Sequence, residues 1–162
     1  LRGRHNVLNA CAAAAAAAAA GAAGTDIQNG LAGLRAVKGR LQLKLAAAGL
    51  RVLDDTYNAN PTSLRAALQV LASAPGRKIL VLGDMGEVGV EAADLHEEMG
   101  EEARAAGVER LFAVGELSRF TAQRFGAGAR HFTTQGELIA ALRKEYAGRI
   151  EAWSERELLT IK

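Results

Sequence analysis

Asp54 and Asp55 stand where an apolar run, Leu50 with Val52 and Leu53, gives way to the polar stretch Thr56-Tyr57-Asn58-Ala59-Asn60-Pro61-Thr62-Ser63. Carboxylates placed directly after a buried strand can accept from sugar hydroxyls or sit beside a cation, and the start of the following helix favours an anion. Asn60 suits the N-cap, where its side-chain oxygen can accept from an orphan amide, and Pro61 suits the first helical position, where no donor is missed. Asp54, Asp55, Thr56, Tyr57, Asn58 and Asn60 thus crowd the carboxyl end of one strand, the edge at which open α/β sheets bind ligands. The plain alternative is a solvated turn that carries two acids. A second cluster, Gly83-Asp84-Met85-Gly86-Glu87-Val88-Gly89, again puts carboxylates after an apolar strand, with glycines that admit close backbone approach. It is neither a G-x-G-x-x-G dinucleotide loop nor a Walker A loop, and a tight turn would also account for it. Near the start, Asn6 and Asn9 lie three residues apart and share a helix face, from which their amides could read a purine edge or simply cap.

These residues need elements to hold them. Leu41, Leu43 and Leu45 alternate with Gln42 and Lys44, the period of a half-buried strand. Ala48-Gly49 predicts a turn into the strand ending at Leu53, so the two strands should form a hairpin at the sheet edge. Leu64, Leu68 and Leu71 mark a helix that Pro75-Gly76 ends. Lys78 opens Ile79-Leu80-Val81-Leu82, an unbroken apolar run that suits a central parallel strand buried on both faces. An exposed, charge-rich helix follows from Glu91 to Ala106, with Leu95 and Met99 inward and His96 on the surface. Arg110 to Val114 is a further strand with Gly115 at a close-packed exit. Leu117 to Phe125 is a helix that puts Phe120 and Phe125 in the core. His131-Phe132 is a short strand with His131 structural, and Thr134-Gln135-Gly136-Glu137 is a capping box opening a helix through Leu138 and Leu142. Leu158 to Ile161 is the last strand; with no helix after it to cover it, Leu158, Leu159 and Ile161 are expected to be partly exposed, and its edge to lie open. Before all of this, His5 to about Ala20 is a helix of nearly pure alanine, stopped by Gly21 and Gly24. Thr25-Asp26-Ile27-Gln28 has the form of a second capping box, with Ile27, Leu31 and Leu34 along one side.

Composition narrows the field. The chain has 162 residues, 49% hydrophobic and 23% charged, the mix of a soluble globular protein, and with 4% aromatic content its core must be built from Leu, Val, Ile and Ala. A net charge of +2 without a basic block gives no basis for nucleic-acid binding. Cys11 is the only cysteine, which excludes an intrachain disulfide and a zinc or redox pair and fits a reducing, cytoplasmic setting. Arg2 and Arg4 ahead of an apolar run resemble a signal peptide, yet alanine is weakly hydrophobic and the run is shorter than the roughly 20 residues of a membrane span, so membrane insertion is not expected.

Four motifs in one order carry a family resemblance. Arg4-His5-Asn6 with Asn9, Gly39-Arg40, the stretch Asp54 to Ser63, and Gly83-Asp84-Met85 followed by Glu87 and Gly89 resemble the Mur ligases, and within them the branch that adds D-alanyl-D-alanine. The resemblance covers nearly the whole chain, but no motif is legible from about Glu145 to Leu158. It implies a Rossmann-like α/β domain with a mostly parallel sheet over 41–162, ended short of the family's closing Lys-Gly-Ser-Arg and helix, with only Lys162 in place. Residues 1–40 would be the helical tail of a phosphate-loop central domain. It implies an ATP-dependent ligase of peptidoglycan synthesis that joins D-alanyl-D-alanine to UDP-N-acetylmuramoyl-tripeptide through an acyl phosphate, with Mg²⁺. Asn6 and Asn9 would hold adenine, Arg40 a phosphate and Asp55 the ribose, while Tyr57, Asn58, Asn60 and Asp84 would line the side where acyl phosphate meets amine. The family's Gly-Lys-Thr loop and modified lysine would lie in domains upstream, so the chain alone is expected to be inactive. A sister ligase adding an earlier amino acid, or a non-catalytic Rossmann-like binding domain, are the alternatives.

Overall fold

The computed structural model describes residues 3–35, 37–45, 51–86 and 88–146, and the backbone of 157–161. Leu50, the Ala48-Gly49 turn, Glu87, Lys162 and the side chains of Leu158, Leu159 and Ile161 lie outside the described residues. The chain divides into two compact units, Leu1–Val37 and Lys38–Lys162.

The first unit is a pair of helices. α1 (Arg4–Ala19) is the alanine helix, and it ends where the sequence predicts. Gly21 adopts φ 90°. The Gly21 amide then donates to Ala18 O and the Ala22 amide to Ala17 O, the two-bond C-terminal lock that a left-handed residue makes possible. α2 (Gly24–Ala32) departs from expectation, because it starts at Gly24 with Ala23 as N-cap and no side-chain cap bond. The helix begins two residues too early for Thr25 to act as its cap, so the predicted capping box does not form. Among the described residues no helix is long and apolar enough to cross a membrane.

The second unit is a six-stranded sheet in the order β1-β2-β6-β3-β4-β5. β1 (Gln42–Leu45) lies at the edge and pairs antiparallel with β2 (Arg51–Asp54), with Leu43 opposite Leu53. β3 (Arg77–Leu82), β4 (Arg110–Val114), β5 (Ala129–Phe132) and β6 (Glu157–Ile161) continue it in parallel. β3 shows why its unbroken apolar run is needed. Leu80 and Leu82 join the core on one face, with Leu64, Leu68 and Leu71 of α3 (Pro61–Ser73), Met99 of α4 (Ala92–Ala105) and Phe125 of α5 (Ser118–Phe125). Ile79 and Val81 point to the other face, where Phe112 and the α6 (Gln135–Tyr146) residues Leu138 and Tyr146 pack. Successive strand residues face opposite sides, so a strand covered twice can carry no polar interruption.

Three expectations are corrected here. β6 is not an edge strand: it is inserted between β2 and β3 and pairs in parallel with both, so its backbone edge is not open. Phe125 is buried, but Phe120 is only half-buried, with Arg119 over its ring. His96 is fully buried, at 0% exposure, within a stripe of α4 that includes Met99, Gly100 and Ala103. Gly100 is needed there, because a β-carbon would run into the carbonyl of Thr121 on α5.

Candidate functional site

Because β2, β3 and β4 run parallel, their outgoing loops emerge on one edge. The loop after β2 is anchored first. Asp54 is buried and accepts from the Lys44 ammonium across the hairpin, from the Thr56 amide at 3.2 Å and from the Thr56 hydroxyl at 2.8 Å. Burial pushes its pKa up, but Lys44 and Thr56 together outweigh burial and hold the carboxyl below its ordinary range. Asp55, 8% exposed, accepts the Leu41 amide on Oδ1 at 3.0 Å. Leu41 has φ 47°, a left-handed conformation that a branched residue adopts only when its surroundings impose it. The carboxylate of Asp55 therefore fixes the connector leading into β1.

Two residues earlier the same connector meets Tyr57. The Tyr57 amide donates to Gly39 O at 3.0 Å, and the Arg40 guanidinium carbon sits 3.9 Å from the centre of the Tyr57 ring. Asn58 is exposed. Asn60 takes the N-cap of α3: its Oδ1 accepts the Ser63 amide at 2.8 Å, while the Ser63 hydroxyl accepts the Asn60 amide at 3.1 Å, a reciprocal box with Pro61 behind it.

The loop after β3 joins through the Gly86 amide, which donates to Ala59 O at 3.1 Å. Its floor is held by His96, whose Nε2 accepts the Met85 amide at 3.0 Å and whose Nδ1–H donates to Ala92 O at 2.7 Å. Asp84 turns the other way. Its carboxylate accepts the amides of Glu116, Leu117 and Ser118 at 2.9, 3.0 and 2.7 Å and so closes the N-terminus of α5. Burial raises its pKa, but these backbone donors outweigh burial and lower it overall. Gly115 makes room for this, since a β-carbon there would overlap the Asp84 carboxylate.

The second unit thus brings Arg40, Asp55, Tyr57 and Asn60 into one braced group, with Asn58 exposed on the same loop. The Asp84 carboxylate is directed to α5 instead. In the first unit, Asn6 lines a cleft of about 330 Å³ together with Val7, Ala10, Cys11, Ala14, Leu31 and Leu34, whereas Asn9 is exposed and is not part of that lining. The N-cap of α1 is Gly3, with no side-chain cap bond, so neither asparagine caps the helix. Among the described residues no three or more His, Cys, Asp or Glu side chains are grouped to hold a metal. His96 is the residue that sequence reading missed. The signal was present, because His96, Met99, Gly100 and Ala103 follow the i, i+3, i+4, i+7 spacing of a buried helical stripe.

Residues 39–151 match the family described as Mur ligase, glutamate ligase domain. The chain is 46% identical over 143 residues to the UDP-N-acetylmuramoyl-tripeptide--D-alanyl-D-alanine ligase of Escherichia coli (strain K12), a match covering 88% of this chain and 31% of that protein. A crystal structure of MurF from Acinetobacter baumannii superposes with a TM-score of 0.86 at 34% identity, covering 99% of this chain and 35% of its own. The MurF ligase of Thermotoga maritima, crystallised in complex with ADP, superposes at 0.81 with 25% identity, covering 99% and 35%. The chain spans about a third of the length of these relatives.

Proposed function

Because the chain belongs to the Mur ligase family, we propose that it is part of an ATP-dependent ligase of peptidoglycan synthesis that joins D-alanyl-D-alanine to UDP-N-acetylmuramoyl-tripeptide. The observation that carries this reading is the 46% identity over 143 residues to a ligase named for that reaction. The terminal carboxylate of the tripeptide takes the γ-phosphoryl group as ADP leaves. The dipeptide amine then attacks the acyl carbon, and inorganic phosphate departs with one carboxylate oxygen as the amide forms. Phosphoryl transfer depends mainly on positioning and charge neutralisation, and Mg²⁺ would supply part of that neutralisation.

In this reading residues 1–40 are the tail of the ATP-binding domain and 41–162 the C-terminal domain. Arg40 meets a phosphate and Asp55 the ribose. The apolar cleft with Asn6 on its wall suits a flat base, and Asn9 adds an amide beside it. Asn58 and Asn60 border the amine side, while Asp84 shapes that side by tying the loop after β3 to α5. No Gly-Lys-Thr phosphate loop occurs in the sequence, so turnover requires the domains that the longer relatives carry, and the complete enzyme works in the cytoplasm.

The test is a product assay with the full-length protein, UDP-N-acetylmuramoyl-tripeptide carrying ¹⁸O in its terminal carboxylate, ATP and Mg²⁺. D-alanyl-D-alanine should yield the pentapeptide product, ADP and phosphate containing one ¹⁸O. Incorporation of a single amino acid into a shorter precursor in preference to the dipeptide would instead identify a sister ligase. Ligation with release of AMP would remove the acyl phosphate.

A further inference from the structure

Gly39, Arg40 and Tyr57 form a contact whose geometry exceeds what a turn needs. Gly39 lies at φ 71°, and a β-carbon there would stand 3.0 Å from the Tyr57 nitrogen and 3.1 Å from Thr56 Oγ1, so a residue without a side chain lets the connector close onto the loop after β2. The Tyr57 amide donates to Gly39 O at 3.0 Å and locks the approach. Arg40, the next residue, then lays its guanidinium over the Tyr57 ring at 3.9 Å. Tyr57 is 63% exposed and belongs to neither core cluster, so hydrophobic packing does not account for its position.

A guanidinium carries its N–H donors around its edge, in its own plane. Contact through its face therefore fixes the group while leaving those donors available, which an ion pair with a carboxylate would not do. Among the described residues Arg40 forms no ion pair. We propose that Tyr57 is a positioning residue that acts through Arg40, its ring holding the guanidinium in place to receive a phosphate of the nucleotide. Its hydroxyl is then dispensable, and the Tyr57 side chain serves the nucleotide rather than the amine. This rests on the reading of Arg40 as a phosphate-binding residue.

The test measures ATP affinity and steady-state kinetics of the full-length protein with Tyr57→Phe, Tyr57→Leu, Arg40→Ala and the double variant Arg40→Ala/Tyr57→Leu. Tyr57→Phe keeps the ring and should bind ATP within twofold of wild type. Tyr57→Leu should weaken ATP binding about two- to fivefold, the effect an exposed cation–π contact carries, with the KM for D-alanyl-D-alanine unchanged. In the Arg40→Ala background the Tyr57→Leu change should have no further effect on ATP. The proposal is overturned if Tyr57→Leu binds ATP like wild type, if the two single losses multiply in the double variant, or if Tyr57→Phe alone raises the KM for the dipeptide. Wild-type protein that binds no ATP would remove the phosphate role of Arg40 and this proposal with it, whereas normal ATP binding with an unaffected Tyr57→Leu variant overturns this proposal alone.

Discussion

Asp84→Ala removes a single carboxylate on which three backbone amides converge, those of Glu116, Leu117 and Ser118 at 2.7 to 3.0 Å. Loss of an N-terminal cap costs about 0.5–2 kcal/mol, and a negative charge near a helix N-terminus adds about 0.3–1 kcal/mol. Asp84 is exposed, so water replaces part of what is lost, and a net cost of about 1–2 kcal/mol follows. The sheet unit, residues 38–162, has an unfolding entropy of about 0.26 kcal/mol/K at the usual value per residue, so the melting temperature should fall by about 4–8 °C. Circular dichroism melts of wild type and variant at pH 7 read this directly. The pH dependence supplies a second reading. The folded-state pKa of Asp84 is lowered, so the unfolded chain takes up a proton first as pH falls. The stabilisation is complete above the ordinary carboxyl value of 3.8 and is lost as pH drops through the lower folded value. The gap between wild type and variant should therefore be constant from pH 6 to 8 and narrow below about 3.8. A difference under about 1 °C at pH 7, or a gap that widens on acidification, would refute the assignment of Asp84 as the cap of α5.

Gly100→Ala puts a methyl group into the Thr121 carbonyl and forces α4 and α5 apart; a loss of about 1–3 kcal/mol is expected in urea unfolding, and an unchanged midpoint would contradict the close approach. Thr121 is fully buried and its hydroxyl has no hydrogen-bond partner among the described residues, so Thr121→Val should leave the urea midpoint unchanged or raise it, and a clear loss would reveal a partner. His96→Leu leaves the Met85 amide buried without its acceptor and should cost about 1–3 kcal/mol in the same assay.

Local signals read well where the chain itself supplies the partner. Asn60-Pro61 marks the start of α3 because the cap is completed by Ser63, three residues on. Ile79 to Leu82 gives a twice-covered strand, whereas the alternation from Leu41 to Leu45 gives β1 only from Gln42 on, with Leu43 and Leu45 exposed where that period predicts a half-buried strand. What the sequence could not reveal depends on distant partners. Asp84 looks like a ligand-facing carboxylate until the amides more than thirty residues away are seen to occupy it. His96 lies among charged neighbours that suggest solvent, and only the helical spacing of Met99, Gly100 and Ala103 marks its face as the inner one. The position of β6 between β2 and β3 is set by pairing with strands far upstream, which no local pattern encodes. Thr25 failed for the opposite reason: a motif that fits a cap locally was overridden by a helix starting at Gly24.

If the edge where β2 ends holds the nucleotide, as proposed, Asp55 is the acceptor whose loss should be felt there. Asp55→Asn keeps an oxygen for the Leu41 amide while removing the charge, so the connector stays in place as the acceptor for the ribose weakens. Equilibrium ATP binding by the full-length protein should weaken by about 10- to 150-fold, the equivalent of about 1.5–3 kcal/mol for a hydrogen bond to a charged group, with the melting temperature of the unliganded protein little changed. ATP binding equal to that of wild type, in a variant that melts with it, would contradict the account.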